Sequence, residues 1–371
     1  MTERIHIVCL DAPSPPDYGG AIDMFYKVKA LAQIGKKITL HYFDYRSSRN
    51  AKGLEADCEA IHLYRRKPFF RSLPVSKPFI VASRINHSLI ERLNGDDHPV
   101  LLEGLHCAGL IPFLKHPARV VLRMHNDEAA YYRHLAQTEK NLFKRVYFLQ
   151  ESSLLQKYQL SLNKDLRLAS LSLTDDEDFK SVYGFKQTSF VPCFIPWQKV
   201  SSKNGRGDYC LYHGNMSVSE NEEAALWLIK NVFNQLPFKL LVAGKGISKK
   251  LIKTAAGQKN VQLVQNPTIT EVDHLVQNAQ INVLPSMNNT GVKLKLLNAL
   301  LNGRHCITNY NGVKGSGIER GLTVAENSQQ WIAQINTLMQ SEFSGDEIAA
   351  RMQVLQLYNN AESAKCLNAL W

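Results

Sequence analysis

Residues 281–308 spell out one complete structural unit. Ile281–Leu284 is a short apolar run suited to a strand, closed by Pro285-Ser286. A polar loop, Asn288-Asn289-Thr290-Gly291, leads into Lys293–Leu301, which has helical spacing, and Gly303 stands where a helix C-cap is expected. A second strand pattern, His305–Thr308, follows at once. Two sheet strands joined through a helix run parallel, and parallel sheets are buried on both faces.

The same alternation fills the chain. Strand patterns occur at Ile5–Leu10, Ile38–Phe43, Val100–Glu103, Val120–His125, Leu166–Leu171, Tyr209–His213, Lys239–Ala243, Val261–Val264, Ile281–Leu284, His305–Thr308 and Leu322–Ala325. Helical patterns lie between them, at Ala21–Ile34, Asp127–Gln156, Glu220–Gln235, Val272–Gln277, Lys293–Leu301 and Ser328–Gln340. This predicts an α/β fold of parallel sheets with right-handed crossovers. The strands are too many for one compact doubly wound sheet, so two domains are expected. Val191-Pro192-Cys193-Phe194-Ile195-Pro196 and the polar stretch Gln198–Asp208 mark the hinge.

Composition narrows the class. With 44% hydrophobic and 21% charged residues the chain reads as an ordinary globular protein, and no apolar run is long enough for a membrane span. Met1–Leu10 carries Glu3 and too short an apolar run for a signal peptide, so a first strand is expected there. Seven cysteines are scattered without CxxC spacing, which points to a reducing, cytoplasmic compartment and away from a zinc site or disulfide framework.

The net charge of +11 attracts anionic partners without choosing among them. Arg65, Arg66, Lys67, Arg71, Lys77 and Arg84 occur with no acid between Ile61 and Arg84, interleaved with Phe69, Phe70, Leu73 and Phe79. That mixture suits either an anionic membrane surface, met through residues 65–79, or a solvated loop whose aromatics cap the core. No nucleic-acid-binding motif accompanies it, so nucleic acid is not an expected partner.

In open parallel sheets ligands sit beyond the carboxyl ends of the strands. Gly19-Gly20 there reads either as turn residues or as a close backbone approach to a ligand. Glu103 is either a surface carboxylate or a ligand contact. His125, beside Asn126 and Glu128, is either a hydrogen-bonded, half-buried histidine or a ligand contact. In the second half the strand ends carry His213-Gly214-Asn215 and Ala243-Gly244-Lys245-Gly246. Lys245 is either a turn lysine or a phosphate ligand. At Thr290-Gly291-Val292 the unpaired N–H groups and dipole of a helix start favour an anion, and Lys293 and Lys295 add charge. Two apart, these lysines do not share a face, so only one is expected to reach a given ligand. Thr174-Asp175-Asp176-Glu177-Asp178 contains a DxD triplet. A helix start capped by Thr174 or Asp175 is preferred there over a metal site.

Four segments, in order, resemble glycosyltransferase family 4. Pro16-Asp17-Tyr18-Gly19-Gly20 resembles the family's glycine loop, and Val121–Glu128 its strand-His-Asn-x-Glu segment. Tyr212–Ala224 is similar to the opening of its donor domain. Gly291-Val292-Lys293-Leu294-Lys295-Leu296-Leu297-Asn298-Ala299 resembles its Gly-x-(Arg/Lys)-Leu-Lys-x-Leu-Glu-Ala motif. The likeness runs over nearly the whole chain. It implies the GT-B fold, two Rossmann-like doubly wound domains facing across a cleft. The acceptor-side domain would be 1–195, completed by a helical tail of about 350–371, and the nucleotide-sugar-binding domain 196–349.

The resemblance further implies a retaining, metal-independent hexosyltransferase of glycan or polysaccharide biosynthesis, peripheral on the inner face of the membrane. Its partners would be a nucleotide-sugar donor and a saccharide or lipid-linked acceptor, with no cofactor. Gly19, Gly20, Gly214, Lys245, Thr290, Gly291, Val292, Lys295 and Asn298 would bind the donor. His125 would be the catalytic contact to its sugar, and Glu103 and Glu128 would face the acceptor. The family's two acidic residues eight positions apart are here Thr290 and Asn298, and its Arg/Lys pair is absent from His213–Glu223, leaving Lys245 as the substitute. Two rival readings stay open: a non-catalytic sugar-nucleotide-binding or scaffold subunit, and a sugar-nucleotide epimerase of the same fold.

Overall fold

Apolar runs, buried on both faces in the central strands, build two parallel sheets. The computed structural model describes residues 3–44, 49–68, 77–139, 141–288 and 290–371, and the chain divides into Met1–Pro196 with Tyr358–Trp371 (unit 1) and Trp197–Leu357 (unit 2). Unit 1 holds β1 (Arg4–Cys9), β2 (Lys37–Asp44), β3 (Cys58–Arg65), β4 (Val100–Glu103), β5 (Val120–Met124), β6 (Arg167–Ser170) and β7 (Gln187–Phe190), in the spatial order β3-β2-β1-β4-β5-β6-β7. Unit 2 holds β8 (Tyr209–Asn215), β9 (Lys239–Lys245), β10 (Val261–Gln265), β11 (Ile281–Leu284), β12 (His305–Thr308) and β13 (Thr323–Val324), in the order β10-β9-β8-β11-β12-β13. The neighbours pair parallel in both sheets.

Strand order reverses between β1 and β4 in unit 1 and between β8 and β11 in unit 2. These switch points open a crevice at the strands' carboxyl ends, where α/β proteins bind ligands. Helices cover both faces in unit 1. On one side Met24, Val28 and Leu31 of the helix Gly19–Gln33 pack with Ala364 and Leu367 of the helix Asn360–Asn368. On the other, Leu89, Leu93, Leu155 and Phe179 pack against Val8, Leu102 and Leu122.

The end of the chain stays with unit 1 through specific bonds. Asn360 donates to the Ile195 carbonyl at 2.9 Å and accepts from its N–H at 3.0 Å, and the Trp371 indole donates to the Arg119 carbonyl at 2.7 Å. The helix Gly345–Leu357 stays with unit 2, where Arg351 donates to the Arg304 carbonyl at 2.9 Å. The crossing back therefore comes at Tyr358, later than the expected position near 350.

Several local expectations need correction. β3 and β7 carry no clean strand pattern because they are sheet edges: β3 is buried at only one position, Tyr64, and β7 at none. The expected helix Asp127–Gln156 is two helices, Glu128–Thr138 and Leu142–Ser161, with Asn141 capping the second by accepting from Phe143 and Lys144 N–H. The helix Leu173–Ser181 is capped by Ser172, not by Thr174 or Asp175; Asp175 and Asp176 occupy its first turn. Gly19 and Gly20 begin a helix and are not loop residues.

Gly303 follows the helix Leu294–Asn302 with φ of −89°, so left-handed geometry does not explain it. Space does: a Cβ there would stand 2.3 Å from Asn282 Nδ2 and 2.8 Å from the Ala299 carbonyl. Gly303→Ala is expected to lower stability by about 1–3 kcal/mol, the cost of overpacking. Urea unfolding measures this, and a midpoint equal to wild type would show that the crowding relaxes freely.

Candidate functional site

At the β1/β4 switch point of unit 1, five ionisable side chains form one buried cluster. The helix Gly19–Gln33 contributes Asp23 and Lys27, one turn apart, β4 ends in Glu103, and β5 supplies Arg123 and leads into His125. Lys27 Nζ lies 2.7 Å from Asp23 and 2.7 and 2.8 Å from the two Glu103 oxygens. His125 Nε2 lies 2.8 Å from Glu103 Oε2 and 3.9 Å from Asp23 Oδ2. Arg123 reaches Asp23 at 3.3 Å and donates to the Val191 and Pro192 carbonyls at 2.6 and 3.0 Å. Asp23 also accepts from the Phe194 N–H at 2.8 Å.

Burial pushes the carboxyls of Asp23 and Glu103 upward, but the cations prevail. Lys27 and Arg123 hold Asp23 well below the usual carboxylate range, and Lys27 with His125 lowers Glu103. The two carboxylates balance Lys27 and Arg123. Ligand atoms of Asp23, Glu103 and His125 lie within 4.8 Å of one another, a spacing that would admit a metal ion. Lys27 already provides the positive charge there, bonded to both carboxylates.

Glu103 has no accessible surface and stands behind His125, so it is not a surface carboxylate. His125 is the cluster member that reaches the surface, at 8% exposed. Its Nδ1 faces Gly20, where a Cβ would lie 3.6 Å from that nitrogen and 3.1 Å from the Tyr18 ring. Gly20 thus keeps space open beside the imidazole. Glu128 begins the next helix, and burial pushes its carboxyl up to about 7, against a hydrogen bond from Asn126 that lowers it.

At the β8/β11 switch point of unit 2, backbones pack tightly. A Cβ on Gly244 would stand 2.0 Å from the Gly214 carbonyl, and one on Gly246 would stand 2.0 Å from Ser217 Oγ. Lys245 ends β9 with an exposed side chain. After β11, Gly291 takes φ of +63°, a left-handed turn that favours glycine, and Val292 and Lys293 follow it into the helix Leu294–Asn302. No side chain caps that helix start.

The two lysines part company. Lys293 folds back to close its own loop, bonding Asn288 Oδ1 and the Thr290 carbonyl, the latter at 2.7 Å. Thr290 N–H donates to the same Asn288 oxygen at 3.1 Å. Lys295 points the other way: its Nζ lies 3.2 Å from Asn221 Oδ1 and 3.4 Å from Tyr212 Oη, above the Tyr212 ring at 5.0 Å. Burial pushes its ammonium down to about 8, with Glu220 opposing and Lys293 adding to the shift. Its hydrogen-bond partners are neutral oxygens, yet part of the side chain stays accessible.

Asn298 lies one turn further on and is 5% exposed. Its oxygen accepts from Asn302 at 2.7 Å and its nitrogen donates to Asp273 at 3.3 Å. Sequence reading missed Asp23, Lys27, Tyr212, Asn221 and Asp273. For Lys27 a signal was present: a lysine four residues after an aspartate on the helix that follows the first strand.

Comparison with known proteins agrees with this geometry. Residues 207–341, within unit 2, match the family model of group 1 glycosyl transferases. Solved structures align over essentially the whole chain. They include TarM (11% identity, TM-score 0.68, covering 100% of this chain and 99% of that one) and HepE of Anabaena in complex with UDP (10%, 0.66, 99% and 99%). A glycosyltransferase from Rickettsia africae is also similar (13%, 0.63, 100% and 98%). At such identities the likeness establishes the fold, which is GT-B. A Klebsiella pneumoniae protein described as an uncharacterized 44.6 kDa protein in the cps region is 26% identical over 335 residues, 86% of each chain.

The cluster makes a signed prediction. Asp23 and Glu103 have lowered folded pKa values, so their stabilisation is present at neutral pH and is lost as pH falls through those values. Lys27→Met leaves Arg123 as the only permanent cation facing them, with His125 still bonded to Glu103, and should cost about 3–5 kcal/mol at pH 7. The loss should shrink toward pH 5, as the strained carboxylates take up protons. Urea unfolding at both pH values tests this; an equal loss at each would reduce Lys27 to a packing role.

Proposed function

We propose that this chain transfers a sugar from a nucleotide-sugar donor to a saccharide or lipid-linked saccharide acceptor in polysaccharide biosynthesis, with retention and without a metal. The carrying observation is Lys295: a cation with neutral partners, at an uncapped helix start, at a switch point, within the matched domain. A diphosphate is the anion such a place suits, since N–H groups and ammonium converge on it. The HepE structures with UDP, and with UDP and glucose, support a nucleotide-sugar donor, and the cps-region relative supports a role in polysaccharide synthesis.

In the proposed reaction the bond from the anomeric carbon to the diphosphate oxygen breaks. The acceptor oxygen bonds the same face of that carbon, and its proton passes to the departing phosphate oxygen. Lys295, the helix N–H groups after Gly291 and the exposed Lys245 stabilise the charge gathering on the diphosphate, the role a metal fills elsewhere. His125 bears on the sugar through Nδ1, while Glu103 and Lys27 fix the imidazole from behind. Glu128 can carry a proton near neutral pH on the acceptor side. Thr290, Gly291, Val292 and Gly214 shape the donor loop. The inner face of the cytoplasmic membrane is the setting proposed for a lipid-linked acceptor. Of residues 65–79, the stretch 69–76, with Phe69, Phe70, Arg71 and Leu73, lies outside the described residues. One observation favours the rival, non-catalytic binding subunit: the Asn298 oxygen already accepts from Asn302, which leaves a single neutral lone pair for a ribose hydroxyl.

Four outcomes test the reading. Nucleoside diphosphate binding, followed by calorimetry, should persist in EDTA; its abolition would end the metal-free claim. Lys295→Ala should weaken that binding by about 1.5–3 kcal/mol. Wild-type affinity should fall as pH rises through about 8, where Lys295 loses its proton, and this dependence should be absent from the variant. His125→Ala should slow transfer at least ~10-fold while leaving diphosphate affinity within a few-fold, because its contact belongs to the transition state. Nucleotide binding without transfer for any donor would favour the non-catalytic rival.

A further inference from the structure

A surface helix normally turns its apolar stripe toward the core. The first turns of the helix Leu142–Ser161 do the reverse. Leu142, Phe143, Val146 and Leu149 are 72%, 89%, 63% and 49% exposed. Buried residues of this helix begin only at Glu151 and continue with Ser152, Leu155 and Gln159. Successive residues turn by about 100°, so Leu142, Val146 and Leu149 fall within about 60° and Phe143 widens the arc to about 120°. Glu151 and Leu155 lie on the opposite side. The exposed stripe is therefore a second face, separate from the one packed on the unit.

This face is held in place. Asn141 caps the helix, and the Phe148 ring meets Tyr132 edge-on at 5.9 Å, tying it to the preceding helix Glu128–Thr138. Its charge has one sign. From Lys140 to Lys164 the sequence contains one acid, Glu151, against five lysines and arginines. Glu151 is 4% exposed, with its oxygens 2.9 and 3.2 Å from the Phe79 N–H. Arg145 borders the stripe, Lys157 lies about two turns beyond Leu149 on the same face, and both are exposed.

The Glu151–Phe79 bond also joins this helix to the basic, aromatic run that precedes it in sequence. Phe79 carries the Arg66 guanidinium 4.5 Å from its ring. Phe79 and Arg66 of that run thus meet the packed side of this helix, opposite the exposed stripe. No helix among the described residues is long and apolar enough to cross a membrane. Large exposed apolar side chains bordered by cations complement the boundary between anionic headgroups and acyl chains.

We infer that the helix Leu142–Ser161 docks on an anionic lipid bilayer, inserting Leu142, Phe143, Val146 and Leu149 while Arg145 and Lys157 meet headgroup phosphates. The inference goes beyond sugar transfer and does not depend on it, because its test contains no donor. The full chain is sedimented with vesicles of phosphatidylcholine alone and of phosphatidylcholine with phosphatidylglycerol. Binding should require phosphatidylglycerol and weaken with salt. The variant Leu142→Ser/Phe143→Ser/Val146→Ser should partition at least ~10-fold less, with an unchanged melting temperature, since these side chains already face solvent. Arg145→Gln/Lys157→Gln should bind more weakly and with less salt dependence. In Phe143→Trp, emission should shift to the blue on adding anionic vesicles. No binding by the wild type, or equal binding by the triple-serine variant, overturns the inference. So does a concentration-dependent dimer that the triple-serine variant abolishes, with no vesicle binding, since the face then belongs to a second copy.

Discussion

Unit 1 is organised around one ammonium group. Lys27 has no accessible surface, and it bonds carboxylates that come from its own helix and from the end of β4. Isolated charges at such depth would be very costly, so the cluster is stable only as a set. Asp23 extends the set to Arg123 of β5 and to the N–H of Phe194, and Arg123 holds the carbonyls of Val191 and Pro192. A single connected network therefore fixes the first helix, two central strands and the segment leading out of the unit. His125 is its most accessible member, and its ring orientation follows from the carboxylate behind it.

Lys27 and Lys295 show how the same residue type serves two purposes. Both are lysines on helices at a switch point. Lys27 is matched by two carboxylates, and its charge is consumed in holding structure together. Lys295 sits among neutral oxygens, and burial lowers its pKa to about 8. An unmatched cation of this kind costs the folded state something, which an arriving anion repays. The close backbone packing of Gly214 with Gly244, and of Gly246 with Ser217, builds the rigid floor beside it.

Central strands were legible in the amino-acid sequence because both faces are buried, and every position of β4, β5, β11 and β12 is apolar or internally bonded. Of the edge strands, β10 and β13 were foreseen but β3 and β7 were not: Gln187–Phe190 is polar since no neighbour covers it fully. The break at 139–141 was hidden because Leu142–Leu149 is apolar enough to continue a helical pattern, yet that apolarity faces outward. Among site residues, His125, Gly291 and Lys295 stood out by their place after strand ends. Asp23 and Lys27 did not, since a charged pair one turn apart on a helix ordinarily marks a solvated face. Only the fold reveals that this face points inward at Glu103.

The neutral residue at 298 has a local cause. Its amide nitrogen donates to Asp273 across the contact between the helices Leu294–Asn302 and Ile269–Asn278, and its oxygen accepts from Asn302. Burial already raises the Asp273 carboxyl, and the hydrogen bond from Asn298 is what lowers it again. A glutamate at 298 would set a second carboxylate against the first in a half-buried interface, where like charges cannot both ionise cheaply. The carboxylate of this region is carried by the neighbouring helix, and an amide at 298 is its complement. The departure from the acidic pattern at this position is thus built into the packing of unit 2, and Asn298 and Asp273 act as one element.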